Sequence, residues 1–334
     1  MSDNTQLGFD ALNAALKAAG EVTRLRMLAL LGEAELTVSD LTDILRQSQP
    51  RISRHLKLLA EAGLIDRFRE GTWAFYRLAE RGGGAEVARA LLDRLNPADP
   101  TVSRDREKLA AVRAARAAAA QAYFRAHAAE WDRIRKLHAA DAAVEEAIRK
   151  ALADKPFRSL LDLGTGTGRM LELFGAEIER GLGLDLSLDM LLLARDRLER
   201  AGLKHCSVRQ GDIYDLPLAD DSFDVVILHQ VLHFLDDGAR AIKEAARVLR
   251  PGGRLLVVDF APHELEFLRE QHAHRRLGFS PETVTQWMTA AALEPVMHKS
   301  LKPEPGTEGK IAVSLWLARD ARALMATPAK REVA

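Results

Sequence analysis

Leu160-Leu161-Asp162-Leu163-Gly164-Thr165-Gly166-Thr167-Gly168 is a short apolar run that breaks into three alternating glycines. Unbroken apolar residues read as a strand buried on both faces. The glycines let the backbone turn sharply and approach a ligand closely before a helix opens. The same rhythm recurs downstream, with apolar runs at Gly181–Leu186, Cys206–Val208, Phe223–Leu228 and Arg254–Val258 and helical stretches between them. Alternating β and α elements imply a parallel sheet covered on both faces. Val296–Leu301 and Ile311–Leu317, around a Pro/Gly-rich loop, read as a hairpin closing one sheet edge.

A glycine-rich loop alone also fits a dinucleotide site, so its surroundings decide. Here the spacing is Gly-x-Gly-x-Gly, and Arg169 stands where a dinucleotide loop would carry its later glycine. Asp185 ends the second run, about 20 positions beyond Gly164. A carboxylate there is placed to accept from both hydroxyls of a ribose. Gly211-Asp212-Ile213 follows the third run, where a carboxylate can accept from an adenine amino group.

This ordered set resembles the class I S-adenosylmethionine (SAM) dependent methyltransferases. The resemblance continues in Asp220-Asp221-Ser222-Phe223-Asp224-Val225-Val226 and in Arg247-Val248-Leu249-Arg250-Pro251-Gly252-Gly253-Arg254-Leu255, and it covers about residues 120–318. It implies a Rossmann-like α/β domain with a seven-stranded, mostly parallel sheet. It also implies that Asp162, Gly164, Gly166 and Gly168 hold the methionine end of SAM. Asp185 with Leu186 would take the ribose, Asp212 and Ile213 the adenine, and His229 and Gln230 the pocket wall.

Methyl transfer asks mainly for alignment and a dry site, and for a base only when the acceptor must lose a proton. His229, His233 and Tyr123 are the candidate bases, each also able to be an ordinary packed or surface residue. No Asp/Asn-Pro-Pro-aromatic run follows the fourth strand, which disfavours amino methylation of a DNA base. The cysteine set of arsenite methyltransferases is absent. His263, Glu264, Glu266, His272 and His274 cluster in sequence, but their spacing fits no zinc pattern, and no metal is expected.

The N-terminal half has another character. Residues 7–31 look helical, with Leu12, Leu16, Leu25, Leu28 and Leu31 on repeating apolar positions. Ser39 is placed to cap a helix over Asp40–Arg46. A second helix, Gln49–Ala60, puts Ile52, Leu56 and Leu59 on one face and Ser53, Arg54 and Lys57 on the other, with Gln49 and Arg51 near its start. Over residues 1–97 thirteen basic residues balance thirteen acidic ones, yet 46–60 holds Arg46, Arg51, Arg54 and Lys57 and no acid. Such a face suits major-groove edges and phosphates, or is simply a solvated basic helix. Leu64–Arg69 and Trp73–Leu78 flank Glu70-Gly71-Thr72 as a β-hairpin, whose Arg67, Arg69 and Arg77 could reach flanking phosphates.

Leu16-Lys17-Ala18 with Thr23-Arg24-Leu25-Arg26-Met27-Leu28, Ser48-Gln49-Pro50-Arg51-Ile52-Ser53-Arg54-His55-Leu56-Lys57-Leu58-Leu59, and Ala62-Gly63-Leu64-Ile65 resemble ArsR-family winged helix-turn-helix repressors. The resemblance implies a double-stranded, inverted-repeat DNA operator. It also implies a homodimer, with the first helix and Ala85–Leu95 as its contacts. Metal-sensing members carry cysteines in the segment matching residues 35–41. Thr37 and Ser39 stand there instead, and neutral hydroxyls are poor ligands for soft metals.

The whole reads as an α/β chain of four parts: a winged helix at 1–97, a helical linker and cap at 98–152, a SAM-binding domain at 153–320 and a flexible tail at 321–334. The 334 residues are 47 % hydrophobic and 29 % charged with zero net charge, as expected of globular domains. The one cysteine, Cys206, fits a reducing compartment, and no secretory signal or membrane-length apolar run is visible, so a cytoplasmic location is expected. Function then divides in two. The chain is a regulator with an active methyltransferase domain and an unknown small-molecule acceptor, or a repressor that senses SAM or S-adenosylhomocysteine without turnover. The fusion resembles proteobacterial ArsR–methyltransferase regulators, some of them linked to methionine-cycle control.

Overall fold

The computed structural model describes residues 6–70, 72–128, 141–303 and 311–323. Two compact units divide the chain between Ala118 and Ala119.

The first unit opens with α1 (Phe9–Ala19) and α2 (Val22–Glu33). The stretch 7–31 that reads as helical forms two helices, parted at Gly20-Glu21. The Glu21 carboxylate accepts from Arg24 N at 2.9 Å and starts α2 afresh. Leu12 and Leu16, expected on a packed stripe, are 39 % and 48 % exposed. β1 (Leu36–Thr37) leads directly into α3 (Val38–Leu45), followed by α4 (Gln49–Glu61), β2 (Ile65–Glu70), β3 (Trp73–Leu78) and α5 (Gly83–Asp93). Strands β2 and β3 form the expected hairpin, whose turn residue Gly71 lies outside the described residues. The two-residue β1 was not legible and pairs with β3, giving the sheet order β1-β3-β2.

The expected cap of α3 moves two residues. Thr37, not the exposed Ser39, is the N-cap: its hydroxyl accepts from Asp40 N at 3.2 Å, and the Asp40 carboxylate accepts from Thr37 N at 2.9 Å. That reciprocal pair satisfies two free N–H groups at once. Ile52, Leu56 and Leu59 of α4 are fully buried among Met27, Leu28, Leu30, Leu31 and Ile44. α6 (Pro100–His127) begins on a proline, with Asp99 accepting from Thr101 N at 2.8 Å. Its first half belongs to this unit. Leu109 joins the core, Asp105 takes a bidentate grip from Arg26 at 2.6 and 2.7 Å, and Arg116 pairs with Asp40. The expected break at 97/98 therefore falls inside the packed unit.

The second unit contains α7 (Asp141–Leu152), β4 (Ser159–Leu163), α8 (Arg169–Phe174), β5 (Arg180–Asp185), α9 (Leu188–Arg200), β6 (Cys206–Gln210), β7 (Phe223–His229), α10 (Gly238–Arg247), β8 (Leu249–Phe260), α11 (Phe267–Gln271), α12 (Pro281–Ala290), β9 (Leu293–Leu301) and β10 (Val313–Asp320). The seven strands run in the order β6-β5-β4-β7-β8-β10-β9. β4 to β8 are parallel, and β10 runs antiparallel between β8 and β9. The expected hairpin closes the sheet, with β9 at the edge. On β7, Val225 and Ile227 enter one core beneath α7, α8 and α9, while Val226 and Leu228 enter another beneath α10 and α12. Burial on both faces explains the unbroken apolar runs. The chain order reverses between β4 and β7, so their C-terminal ends open the crevice where such sheets bind ligands. Residues 321–323, expected in a flexible tail, form a 3-10 turn anchored by Arg322 to Asp221 and Asp320; from 324 the tail lies outside the described residues.

The capping box carries a test. Thr37→Ala is expected to cost about 1 kcal/mol of stability, and Ser39→Ala close to nothing. Urea titration of both variants checks this, and equal losses would place the cap back on Ser39.

Candidate functional site

On the first unit the basic surface is real. Gln49, Arg51, Ser53, Arg54 and Lys57 of α4 are all exposed, as are Arg67 and Arg69 on β2. Arg77 departs from expectation: it pairs with Glu35, Asp66 and Glu80, so its charge is spent within the fold. Sequence reading passed over His55. It lies on α4 but is buried, with Nδ1 3.7 Å from the Glu21 carboxylate. Burial lowers its pKa below the ordinary histidine value. Glu21 opposes that shift, and Arg24, Arg51 and Arg54 reinforce it.

On the second unit the glycine loop is tied to the strand beside it. Gly164 N and Thr165 N both donate to the Leu184 carbonyl, at 2.8 and 3.0 Å. Gly164, Gly166 and Gly168 all have positive φ, at 68°, 51° and 81°. A Cβ on Gly164 would also meet the Val231 side chain at 2.4 Å, so that position is closed to any other residue on two counts. Buried Asp162 accepts from the Thr165 hydroxyl at 2.6 Å. Asp185 accepts from Gly166 N at 2.9 Å and Ser187 N at 2.8 Å. Burial raises the Asp185 pKa, against the lowering effect of N–H groups from Ser187, Gly166 and Leu186.

The other expected residues gather at the same strand ends with different fates. Leu186 is exposed next to Asp185, and Asp212 is exposed with its carboxylate accepting from Tyr214 N at 2.9 Å. Ile213 instead buries its side chain in the core below, leaving its backbone for any contact with a ligand. His229 ends β7, half-buried. Gln230 holds a left-handed backbone at φ 54° and donates its own N–H to Val258 O at 2.7 Å. Its side chain is 8 % exposed, and its Nε2 makes no hydrogen bond among the described residues.

The candidate bases separate. Tyr123 and His233 fall in one aromatic cluster, linked through Phe124 and Phe234, whose rings meet edge to face at 4.8 Å. The Tyr123 hydroxyl lies 2.7 Å from His272 Nδ1; burial raises the tyrosine pKa and, with His127 adding, lowers that of His272. His233 Nδ1 lies 2.7 Å from Asp259. Asp259 was not singled out, although Val257-Val258-Asp259-Phe260 repeats the signal of Asp162 and Asp185, an acid near the end of an apolar run. Of the sequence-clustered histidines, His274 stacks on Phe260 and lies 4.2 Å from His233, a ring contact. Among the described residues no group of three His, Cys, Asp or Glu side chains is placed to hold a metal. No helix among them is long and apolar enough to cross a membrane.

Residues 21–67 match the family model of bacterial regulatory proteins of the arsR family, and residues 161–257 match that of a methyltransferase domain. The chain joins an ArsR-family helix-turn-helix domain to a methyltransferase domain. The methyltransferase YcgJ of Bacillus subtilis is 33 % identical over 106 residues, which are 31 % of this chain and 42 % of that one. A demethylmenaquinone methyltransferase of Thermobifida fusca is 34 % identical over 129 residues, 39 % of this chain and 52 % of that one. The chain thus spans about half or less of the length of these two relatives. A SAM-dependent methyltransferase structure from Thermotoga maritima is 26 % identical, with 60 % of this chain and 99 % of that one covered at a TM-score of 0.49.

The buried histidine of the ArsR-family domain sets a pH dependence. With its folded pKa below its unfolded value near 6.5, His55 binds fewer protons in the folded state. Its contribution is therefore present above about pH 6.5 and lost as pH falls through the folded pKa. The expected outcome is a urea midpoint for the first unit that falls between about pH 7.5 and 5.5, and falls less in His55→Gln. Equal falls in both proteins would exclude His55 as the cause.

Proposed function

We propose that the chain is a DNA-binding transcriptional regulator whose methyltransferase domain binds SAM and passes its methyl group to a small-molecule acceptor. The observation that carries the reading is the set of groups converging at the ends of β4, β5 and β7: three left-handed glycines, the Asp185 carboxylate and the buried Gln230 amide. These residues fit the cofactor. At Gly164 the space a Cβ would fill is taken by the Val231 side chain, which lets the glycine loop lie close against the chain leaving β7. Asp185 keeps acceptor capacity beyond its two backbone donors, as vicinal ribose hydroxyls require. Gln230 Nε2 is a buried donor that an amino-acid carboxylate would satisfy.

In this reading Asp162, Gly164, Gly166 and Gly168 hold the methionine end, Asp185 and Leu186 the ribose, and Asp212 and the Ile213 backbone the adenine. His229 and Gln230 complete the wall. Bound there, SAM supplies an electrophilic methyl group on a sulfonium sulfur. The chain's own part is to align the acceptor and exclude water. The demethylmenaquinone methyltransferases among its relatives favour a small molecule over a macromolecule as acceptor.

The exposed α4 residues would read an inverted-repeat operator, with Arg67 and Arg69 on flanking phosphates. The outward Phe9, Leu12 and Leu16 of α1 favour a homodimer formed through α1 and α5. Fusion to a DNA reader favours a second role for the pocket, in which SAM or S-adenosylhomocysteine alters operator affinity.

The test titrates binding to DNA from upstream of the chain's own gene with SAM and then with S-adenosylhomocysteine, while following loss of SAM in cell extract. Turnover together with a shift of about 5- to 150-fold in DNA affinity is the expected result. A shift without turnover makes the domain a sensor alone, and turnover without a shift makes it an enzyme that the DNA reader does not consult. Asp185→Ala should lose SAM binding by calorimetry. Arg54→Ala should weaken the operator complex in a gel shift while leaving the sedimenting species unchanged.

A further inference from the structure

We propose that His233 and Asp259 are the proton-accepting pair of the methyl transfer, and that the acceptor is a planar ring bearing a hydroxyl group. The inference rests on the transferase reading above and adds its substrate class.

The geometry starts at the end of α6. Arg125 reaches Asp189, in the first turn of α9 after β5, at 3.5 Å. Phe124 meets Phe234, in the 3-10 turn after β7, at 4.8 Å, and Tyr123 bonds His272. This short stretch therefore joins the helix after β5 to the turn after β7 and to the end of α11. The 3-10 turn beneath it carries His233.

His233 is 2 % exposed and Asp259 0 %. The carboxylate lies 2.7 Å from Nδ1, which fixes the proton of the neutral ring there and leaves the lone pair on Nε2. Nε2 has no hydrogen-bond partner among the described residues. The same carboxylate also accepts from His233 N at 3.4 Å and Phe260 N at 2.8 Å, so the turn is tied to β8 through the backbone as well as through the ring. The His233 carbonyl already accepts from Arg275 N and Arg276 N at 2.8 and 3.0 Å, and the ring could be replaced without losing either bond. What the pair provides is a base whose cation has a buried carboxylate ready beside it.

The surroundings select the acceptor. Phe234, His274 and Phe260 pack 4.0, 4.2 and 4.9 Å from the His233 ring, so a partner that reaches this base meets flat, largely apolar neighbours. Neighbouring charges are matched within the protein, Arg275 by Asp236 and Arg269 by Glu266. A base serves an acceptor that must lose its proton to become nucleophilic, as a phenolic hydroxyl with pKa about 10 must at neutral pH. In the step, the acceptor O–H bond breaks and its proton passes to Nε2. The freed oxygen pair forms the bond to the methyl carbon, and the former S–CH3 pair stays on sulfur as the neutral thioether. The imidazolium, held by Asp259, then returns its proton to water.

The experiment uses the full chain with catechol and naphthol as probes. SAM affinity is measured first by calorimetry for the wild type, His233→Asn and Asp259→Asn. Transfer of labelled methyl to each probe follows across pH. Finally the His233 ring nitrogens are followed by NMR as a probe is added to wild-type protein saturated with S-adenosylhomocysteine. Expected are equal SAM affinities, methylated product from at least one probe, and a loss of about a hundredfold or more in kcat for His233→Asn with KM little changed. Asp259→Asn should shift the pH profile, and the Nε2 resonance should move on probe binding. Wild type that binds SAM but methylates neither probe, or an Nε2 resonance that ignores them, overturns the proposal alone. Wild-type kcat in His233→Asn does the same. Failure of the wild type to bind SAM overturns the transferase reading together with it. The NMR arm needs no variant and stands even where the substitutions unfold the domain.

Discussion

The Leu184 carbonyl accepts from two successive amides, Gly164 N and Thr165 N, and this shared bond fastens the glycine loop of β4 to the neighbouring strand. The loop can make it only because Gly164 adopts φ 68° and carries no Cβ to meet Val231. Once the loop is held, Gly166 N lies within reach of the Asp185 carboxylate, and Thr165 presents its hydroxyl to Asp162. Val231, seated against Gly164, fixes where the chain leaves β7 and hence where Gln230 and His233 stand. The site is thus one connected construction, in which a change at Gly164 is felt on both sides of the crevice.

The ArsR-family domain distributes its charge by a different logic. Its thirteen bases and thirteen acids cancel, so recognition of a polyanion depends on which charges are left facing water. Arg26, Arg77 and Arg116 are paired with Asp105, with Glu35, Asp66 and Glu80, and with Asp40. Arg51, Arg54, Arg67 and Arg69 are exposed. The apolar stripe of α4 decides this partition. Burying Ile52, Leu56 and Leu59 forces Arg51, Arg54 and Lys57 outward, whatever the total charge. Phosphate contacts from that face would make affinity fall steeply with salt.

Local signals were legible wherever the physics was local. The three glycines, the strand-terminal Asp185, the two faces of α4 and the β2–β3 hairpin follow from spacing and backbone preference. What escaped depends on partners distant in sequence. Thr37 is the cap in preference to Ser39 because Asp40 reciprocates and Arg116, far along α6, pairs with Asp40. Leu12 and Leu16 keep helical periodicity but lose their place in the core when α2 starts anew at Glu21. β1 is too short to show a period. His55 and Asp259 are unremarkable until folding sets Glu21 near one and His233 beside the other.

Three acids, Asp162, Asp185 and Asp259, stand near the C-terminal ends of parallel strands, and the group each one binds separates their tasks. Asp162 is met by a hydroxyl and Asp185 by two backbone amides. Both acids thereby hold the glycine loop and the end of β5 in place. Asp259 is met by the His233 imidazole at 2.7 Å as well as by the Phe260 N–H at 2.8 Å. In the proposed transfer the imidazolium formed when an acceptor gives up its proton would give Asp259 a charged partner, so the stabilisation it offers would be greatest during the reaction.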